Sequence, residues 1–232
     1  MDASPDMSQK TQAYIREVFG QQDAHLAGLM DRATDAGLPD IAISADVGRL
    51  LTLLTSLAGA DGRGAAHALE FGTLAGYSGV WIARGLRRGG RLITVEPNPE
   101  HAAFAEQTFK DAGVADRVSL RRAPALEVIP SIMGEWGPES VDFVFLDAIK
   151  TEYRGYFDAL LPLLRPGAII AADNCLGGGS WWITEAPGSS PERDAVDAFN
   201  RYLAKRDDFI TTMVPLREGV LVARLRPEAS LA

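Results

Sequence analysis

The chain has 232 residues and a formal net charge of −8 at pH 7, and its 47% hydrophobic and 23% charged residues are typical of a globular protein. An acidic chain without a run of Lys or Arg lacks the positive surface that binds nucleic acid or anionic membranes, so we expect neither partner. Its single cysteine, Cys175, excludes an internal disulfide, and because we find neither a signal peptide nor the ~18 apolar residues of a membrane span, we expect a soluble cytoplasmic protein.

The first sixty residues have the pattern of helices placed ahead of the main fold. Residues 1–8 are polar and are expected to be a frayed end. From Ser8 to Ala36 apolar residues recur at three- and four-residue spacing, as they do in helices. A second helix is predicted from a cap at Ser44 to a stop at Gly59.

After residue 64, short apolar runs alternate with amphipathic stretches. The predicted strands are 66–71, 91–95, 118–121, 141–146 and 168–172, and the predicted helices are 78–87, 100–112, 126–133 and 153–164. Apolar strands separated by helices predict βαβ units and a parallel sheet that is covered on both faces.

The last part of the chain has a different pattern. A segment rich in Gly, Trp, Pro and Ser (177–191) precedes a predicted helix at 194–205 and two predicted strands at 209–214 and 219–225, which should pair antiparallel at one sheet edge. We therefore predict a single α/β domain over 1–232, with N-terminal helices in 1–60. Its core, in 65–226, should be a doubly wound, mostly parallel seven-stranded sheet with an antiparallel edge strand.

A glycine-bearing turn follows the first predicted strand. Glu70, Gly72, Gly76 and Ser78 stand in the pattern E-x-G-x-x-x-G-Y-S, where the chain passes from strand to helix. Glycines let the backbone approach a ligand, and a helix N-terminus favours negative charge. The turn is wider than the G-x-G-x-x-G of dinucleotide sites, which favours a nucleoside that carries an amino acid. A purely structural turn is the alternative.

Acidic residues follow three other predicted strands. Glu96 ends the second strand, where a carboxylate accepts hydrogen bonds from a ribose diol; a solvated charge is the alternative. Asp147 and the pair Asp173-Asn174 end what should be adjacent parallel strands, and their oxygens would form part of a shell for Mg²⁺ or Ca²⁺. Lys150 would lie close to that cation, where an ammonium is disfavoured, so it is a candidate general base.

Together these segments resemble the metal-dependent, S-adenosylmethionine-using small-molecule O-methyltransferases of the caffeoyl-CoA and catechol type. The similarity covers roughly residues 40–226 and includes ALEFGTLAGYSG, ITVEPNPE, VDFVFLDAIKTEYRGYF, LRPGAIIAADN and PLREGVLVARL, in the family's order. The resemblance implies a Rossmann-like fold, S-adenosylmethionine and a divalent cation (Mg²⁺, or Ca²⁺ or Mn²⁺) as cofactors, and a homodimer whose candidate contact is the N-terminal helices.

The resemblance also implies a cofactor site. The matching positions are Ile43, Glu70, Gly72, Thr73, Ser78, Glu96, Ala125 and Asp147. Glu70, Gly72, Thr73 and Ser78 match the turn that holds the methionine end of the cofactor. Glu96 matches the ribose acid, Ala125 the position beside the adenine, and Ile43 a residue that packs on the cofactor.

The same resemblance assigns the reacting side of the site. Asp147, Asp173 and Asn174 match the metal ligands, Lys150 matches the catalytic base, and Tyr156 matches a substrate-side tyrosine. Two positions depart from the family pattern: Ile149 replaces a common acidic residue and Ala123 a common glycine. An apolar residue in place of the acid puts a CoA-ester substrate in doubt.

Several other residues either have two possible roles or are expected to be structural. Trp181 and Trp182 are predicted to form either a pocket wall or a subunit contact. His25, His67 and His101 have no partner at ligand spacing and are expected to be structural. Cys175 is expected to be a packed thiol and not a nucleophile.

The function that we expect is methyl transfer from S-adenosylmethionine to a hydroxyl of a small aromatic substrate with vicinal oxygens. The cation would chelate two neighbouring oxygens and activate one of them. A catalytically silent S-adenosylmethionine-binding protein and a nicotinamide-dependent oxidoreductase are the alternatives. The second predicts the G-x-G-x-x-G turn, which this chain lacks.

Overall fold

The structure is a computed structural model that describes residues 5–59, 62–178 and 182–228, with a seven-stranded sheet at its centre. The strands are β1 (His67–Phe71), β2 (Arg91–Val95), β3 (Val118–Arg121), β4 (Val141–Leu146), β5 (Leu164–Ala172), β6 (Phe209–Val214) and β7 (Val220–Leu225). Their order in the sheet is β3-β2-β1-β4-β5-β7-β6. β1 to β5 run parallel, β7 is antiparallel to β5, and β6 is antiparallel to β7, which confirms the predicted sheet.

β4 explains why the sheet is covered on both faces. All six of its residues are buried, and successive strand residues point to opposite faces. Phe143 and Phe145 join one hydrophobic core, whereas Val144 and Leu146 join the other. A strand that is apolar on both faces is typical of a parallel sheet between two layers of helices.

Two layers of helices supply those cores. The helices are α1 (Pro5–Phe19), α2 (Ala24–Ala27), α3 (Leu29–Asp35), α4 (Ala45–Leu57), α5 (Tyr77–Gly85), α6 (Pro99–Asp111), α7 (Ala125–Trp136), α8 (Tyr153–Leu160) and α9 (Pro191–Ala204). Side chains of α2 to α6 pack on the face that carries Phe143, and those of α7 to α9 pack on the face that carries Val144. α1 lies against α4.

The N-terminal helical run differs from the prediction. It is divided into α1, α2 and α3, and α1 begins at Pro5, inside the segment 1–8 that was expected to be frayed; residues 1–4 lie outside the described residues. The break after α1 is held in place because Asp23 caps α2, accepting a hydrogen bond from the Leu26 N–H at 3.0 Å, and also pairs with Arg84 of α5. Periodicity alone does not reveal such a tertiary contact.

The last parallel strand also begins earlier than predicted. The predicted helix 153–164 ends as α8 at Leu160, a 3₁₀ turn spans Leu161–Leu163, and β5 starts at Leu164. Pro162 lies inside that turn, where it lacks the N–H group that a continuing α-helix needs. Within the described ranges, no helix has both the length and the apolar character that crossing a membrane requires.

Candidate functional site

A cavity of about 670 Å³ opens where the carboxyl ends of β1, β2, β4 and β5 meet, the edge at which parallel sheets bind ligands. Its wall includes these predicted site residues: Ile43, Gly72, Thr73, Ser78, Glu96, Asp147, Ile149, Lys150 and Asn174. The fold therefore gathers residues from both ends of the chain around one space.

The turn between β1 and α5 depends on Gly72. This residue has a φ of +101°, and a Cβ at this position would lie 2.0 Å from the backbone oxygen of Asp147. The Asp147 N–H donates to the Phe71 oxygen at 2.9 Å. Only glycine allows this approach. The turn thereby brings Thr73, and Ser78 at the N-terminus of α5, to the cavity beside the end of β4.

Glu96 is fixed at the end of β2 by backbone donors. The Leu74 N–H donates to Oε2 at 2.9 Å, and the Asn98 N–H donates to Oε1 at 3.0 Å. His101 Nδ1 lies 3.6 Å from Oε1. Each carboxylate oxygen has more than one lone pair, so Glu96 can still accept hydrogen bonds from a ligand in the cavity that it lines.

Glu70 supports the glycine turn from behind. It is fully buried and does not line the cavity; the Thr94 hydroxyl donates to its Oε2 at 2.6 Å and lies 2.5 Å from the Thr73 hydroxyl. Burial raises the pKa of Glu70 to about 7, although the Ser78 and Thr94 hydroxyls act against this shift. Glu70 therefore reaches the cavity indirectly, through Thr94 and Thr73 and through the Ser78 hydroxyl.

Lys150 is held between an acid and a phenol. Its Nζ donates to Asp147 Oδ1 and to the Tyr153 hydroxyl oxygen, each at 2.7 Å. Burial raises the pKa of Tyr153 well above its usual value, so its hydroxyl keeps its proton. That hydroxyl lies 3.0 Å from the backbone oxygen of Leu146 and 3.1 Å from the backbone oxygen of Asp173, so Tyr153 connects Lys150 to the ends of β4 and β5.

Asp173 has an environment that is unusual for a carboxylate. Its side chain is fully buried behind the cavity wall, and neither oxygen accepts a hydrogen bond. Burial and the neighbouring Asp147 raise its pKa to about 7, whereas Lys150 and Arg217 act in the opposite direction. The nearest guanidinium atom, Arg217 Nη1, is 3.6 Å from Oδ2.

The donor set is of the type that a hard divalent cation takes. Asn174 Nδ2 donates to Glu218 Oε2 at 2.9 Å, which leaves the amide oxygen of Asn174 as its remaining ligand atom. Together with Asp147 and the two oxygens of Asp173 that accept no hydrogen bond, this oxygen fits Mg²⁺ or Ca²⁺. In the part of the chain that the structure describes, no cluster of three or more His, Cys, Asp or Glu side chains is arranged for a metal. The fit therefore depends on two carboxylates and one amide.

Other predicted residues lie away from the cavity wall. Ala125 is buried in the core at the start of α7. Tyr156 is also buried; it packs edge-on against Phe71 and donates to Glu152 Oε2 at 2.5 Å. Trp182 packs on Gly178, a residue of the cavity wall, and Trp181 lies outside the described residues.

Five polar residues of the wall were not predicted as site residues: Asp40, Tyr77, His101, Arg217 and Glu218. Arg217 and Glu218 reach it because β7 pairs with β5, so the turn before β7 returns to the carboxyl end of β5. There the Leu176 N–H donates to the backbone oxygen of Glu218 at 2.8 Å. The Glu218-Gly219 turn was predicted, but its position follows from strand order, which periodicity does not specify.

Comparisons with known proteins agree with this architecture. A family model described as O-methyltransferase matches residues 16–226. A catechol O-methyltransferase from Niastella koreensis is 36% identical over 208 residues, 88% of this chain and 90% of the relative, and one from Mycobacterium tuberculosis is 40% identical over 179 residues, 77% of each chain. The O-methyltransferase from Bacillus cereus, solved in complex with SAH, has a TM-score of 0.81 at 30% identity and covers 94% of this chain and 97% of its own. The similarity thus spans every strand and the cavity.

Proposed function

The chain belongs to the O-methyltransferase family and is an S-adenosylmethionine-dependent O-methyltransferase, and we propose that its acceptor is a small aromatic molecule with two neighbouring oxygens, held with the help of a divalent cation. The names of the two catechol O-methyltransferases support the acceptor class. The observation that carries the proposal is the cavity that joins the glycine turn and Glu96 to Asp147, Lys150 and Asn174.

The proposed cofactor site is supported by the cavity residues on one side. Thr73, Ser78 and the N-terminus of α5 would receive the amino-acid end of S-adenosylmethionine. Glu96 would accept hydrogen bonds from the ribose hydroxyls. The SAH in the Bacillus cereus relative supports this cofactor, because SAH is what S-adenosylmethionine becomes on losing its methyl group.

The proposed reaction site lies on the other side of the cavity. When bound, S-adenosylmethionine would supply an electrophilic methyl group and a divalent cation would lower the pKa of the acceptor hydroxyl. Asp147, Asp173 and Asn174 would hold the cation. Lys150 Nζ, positioned by Asp147 and Tyr153, would take the hydroxyl proton in its neutral amine form, which the charge of the nearby cation would favour. The ring would lie against Ile149, whose side chain is 57% exposed in the cavity wall.

A comparison of matched acceptors tests this function. We expect the kcat/KM for a catechol to exceed that for the corresponding monophenol by roughly 100-fold, under saturating S-adenosylmethionine and Mg²⁺, because one oxygen positions the acceptor less well than two. EDTA should abolish the transfer, and Mg²⁺ should restore it.

The controls keep two questions separate. Full activity in EDTA would overturn the metal assignment, even if the catechol remained the better acceptor. Equal kcat/KM values for catechol and monophenol would overturn chelation of the acceptor. Failure to methylate either acceptor would remove both from the candidate substrates.

We also propose that the chain is a single-domain cytoplasmic protein that forms a homodimer through its N-terminal helices. Support for the dimer comes from exposed apolar side chains on α1 and α4, which are Tyr14, Val18, Phe19, Leu53 and Leu57. Exposed apolar residues grouped on neighbouring elements are typical of interaction surfaces. The mass in solution, measured by sedimentation equilibrium, tests this assembly.

A further inference from the structure

Arg217 stands where a positive charge is needed in the absence of a metal. Its Nη1 lies 3.6 Å from Asp173 Oδ2, beyond hydrogen-bond distance, and both oxygens of Asp173 accept no hydrogen bond. Arg217 therefore offsets the charge of Asp173 without occupying the lone pairs of its oxygens. A carboxylate that is buried in this way needs a nearby cation.

The charges around the two acids are balanced before any metal binds. Lys150 Nζ lies 2.7 Å from Asp147 Oδ1, and Arg217 faces Asp173. A divalent cation placed between the acids would add two positive charges to a pair that already has two. A guanidinium stays protonated at all relevant pH values, so Arg217 would repel the metal unless its side chain moved.

The structure offers Arg217 an alternative partner. Its Nε lies 3.2 Å from Glu218 Oε2, the same oxygen that accepts a hydrogen bond from Asn174 Nδ2. The Arg217 side chain is 28% exposed and lines the cavity, so it has room to turn away from Asp173 while it remains paired with Glu218.

The backbone of this turn is fixed, so only the side chain is free to move. The Cys175 N–H donates to the Gly219 oxygen at 2.9 Å, and the Gly219 N–H donates to the Leu216 oxygen at 2.8 Å. Arg217 has a φ of +48°, a conformation that is costly for a residue with a Cβ. An arginine is thus held at a backbone position that would suit glycine better.

From this geometry we infer that Arg217 is a built-in counter-cation for Asp173, which a divalent metal displaces, so that Arg217 lowers the metal affinity of the site. This inference rests on the metal site of the proposed function. It assigns Arg217 a positioning role toward Asp173 and no contact with the reacting atoms.

Metal affinity measured without cofactor or acceptor tests the inference. The full chain is stripped with EDTA and titrated with Mn²⁺, and free Mn²⁺ is followed by electron paramagnetic resonance. We expect Arg217→Gln, which removes the charge, to tighten Mn²⁺ binding by at least about tenfold. Arg217→Lys, which keeps the charge, should stay closer to the wild type.

Arg226→Gln is the matched control. Arg226 follows the end of β7, is exposed and carries the same charge as Arg217. Its Nε donates to the backbone oxygen of Asp207. The affinity of the Arg226→Gln variant for Mn²⁺ should stay within twofold of that of the wild type. Thermal unfolding with and without Mg²⁺ gives a second readout: the rise in Tm on adding Mg²⁺ should be larger for Arg217→Gln than for the wild type.

The outcomes separate this inference from the proposed function. If the wild type and Arg217→Gln bind Mn²⁺ equally well, or the variant binds it more weakly, the counter-cation role is wrong and the metal site stands. If neither protein binds Mn²⁺, both the inference and the metal part of the proposed function are wrong. Transfer to catechol by the wild type in Mg²⁺ tests the proposed function independently.

Discussion

Glu96 and Asp173 are both acids at strand ends, yet their surroundings are opposite. Glu96 accepts two backbone hydrogen bonds, from Leu74 and Asn98, and lines the cavity. Asp173 is fully buried and accepts none. A carboxylate that already has its donors is suited to hold a neutral diol, whereas one without donors is suited to a cation.

The first prediction concerns Glu96. Glu96→Gln replaces one acceptor oxygen by an amide nitrogen that can only donate, so the affinity for S-adenosylmethionine should fall by about 1.5–3 kcal/mol. Isothermal titration calorimetry measures this loss, and the KM for the acceptor should hardly change. Glu100→Gln, the same charge change at an exposed position on α6, should leave both unchanged. An unaltered cofactor affinity in Glu96→Gln would mean that Glu96 only closes the turn.

Single residues were predictable where strand position determines where they lie. Glu96, Asp147 and Lys150 follow strands whose ends were evident from apolar runs, and the structure brings them to one cavity. Glu70 was not distinguishable from them in sequence, because one register step decides whether a strand-end side chain faces the cavity or the interior. His101 had no signal, since its proximity to Glu96 depends on how α6 lies against β2.

At the level of elements, the contact between the β1–α5 turn and the end of β4 builds the cavity. The prediction here is that Gly72→Ala destabilises the fold by about 3 kcal/mol or more, because the added Cβ would lie 2.0 Å from the Asp147 oxygen at a φ of +101°. Chemical denaturation measures the free energy of unfolding.

Gly89→Ala is the matched control for that prediction. Gly89 also has a positive φ, +75°, but a Cβ there would meet no atom within 4 Å. The control should therefore lose only the conformational part, about 1–2 kcal/mol. Equal losses in the two variants would show that the close approach to Asp147 is unimportant for stability.

Strands were easier to predict than helices for a physical reason. β2, β3, β4 and β6 have the predicted bounds. In β2 and β4 most residues are buried and apolar, so each strand ends where polar residues begin. β3 and β6 are edge strands that are only partly buried. The break between α1 and α2 depends on Asp23 and Arg84, residues that are far apart in sequence. β5 starts early because Pro162 ends the preceding helical segment. This proline is visible in the sequence, but the apolar spacing around it continues as in a helix, so the helix was predicted too long.

For the whole molecule, strand order determines what the site contains. β1 lies between β2 and β4, so the cavity opens where the order of the sheet reverses, as α/β sheets commonly arrange their ligands. The parallel order was predictable from the alternation of strands and helices. The insertion of β7 between β5 and β6 brings Arg217 to Asp173, and this long-range pairing has no local signature.

The last prediction concerns the pH dependence of stability, which belongs to the whole fold. Burial raises the pKa of Glu70 from 4.5 to about 7, so between these values the folded state binds more protons than the unfolded state. The free energy of unfolding of the wild type should therefore fall as pH rises from about 5 to 8, by up to a few kcal/mol, since one pKa unit corresponds to about 1.4 kcal/mol.

Glu70→Gln does not titrate, so the stability of the wild type relative to this variant should decrease across that range. Urea denaturation in EDTA at several pH values measures the difference, with Glu100→Gln as the control that keeps the wild-type slope. A difference between wild type and Glu70→Gln that stays constant with pH would mean that Glu70 remains ionised in the folded protein, held by the Ser78 and Thr94 hydroxyls.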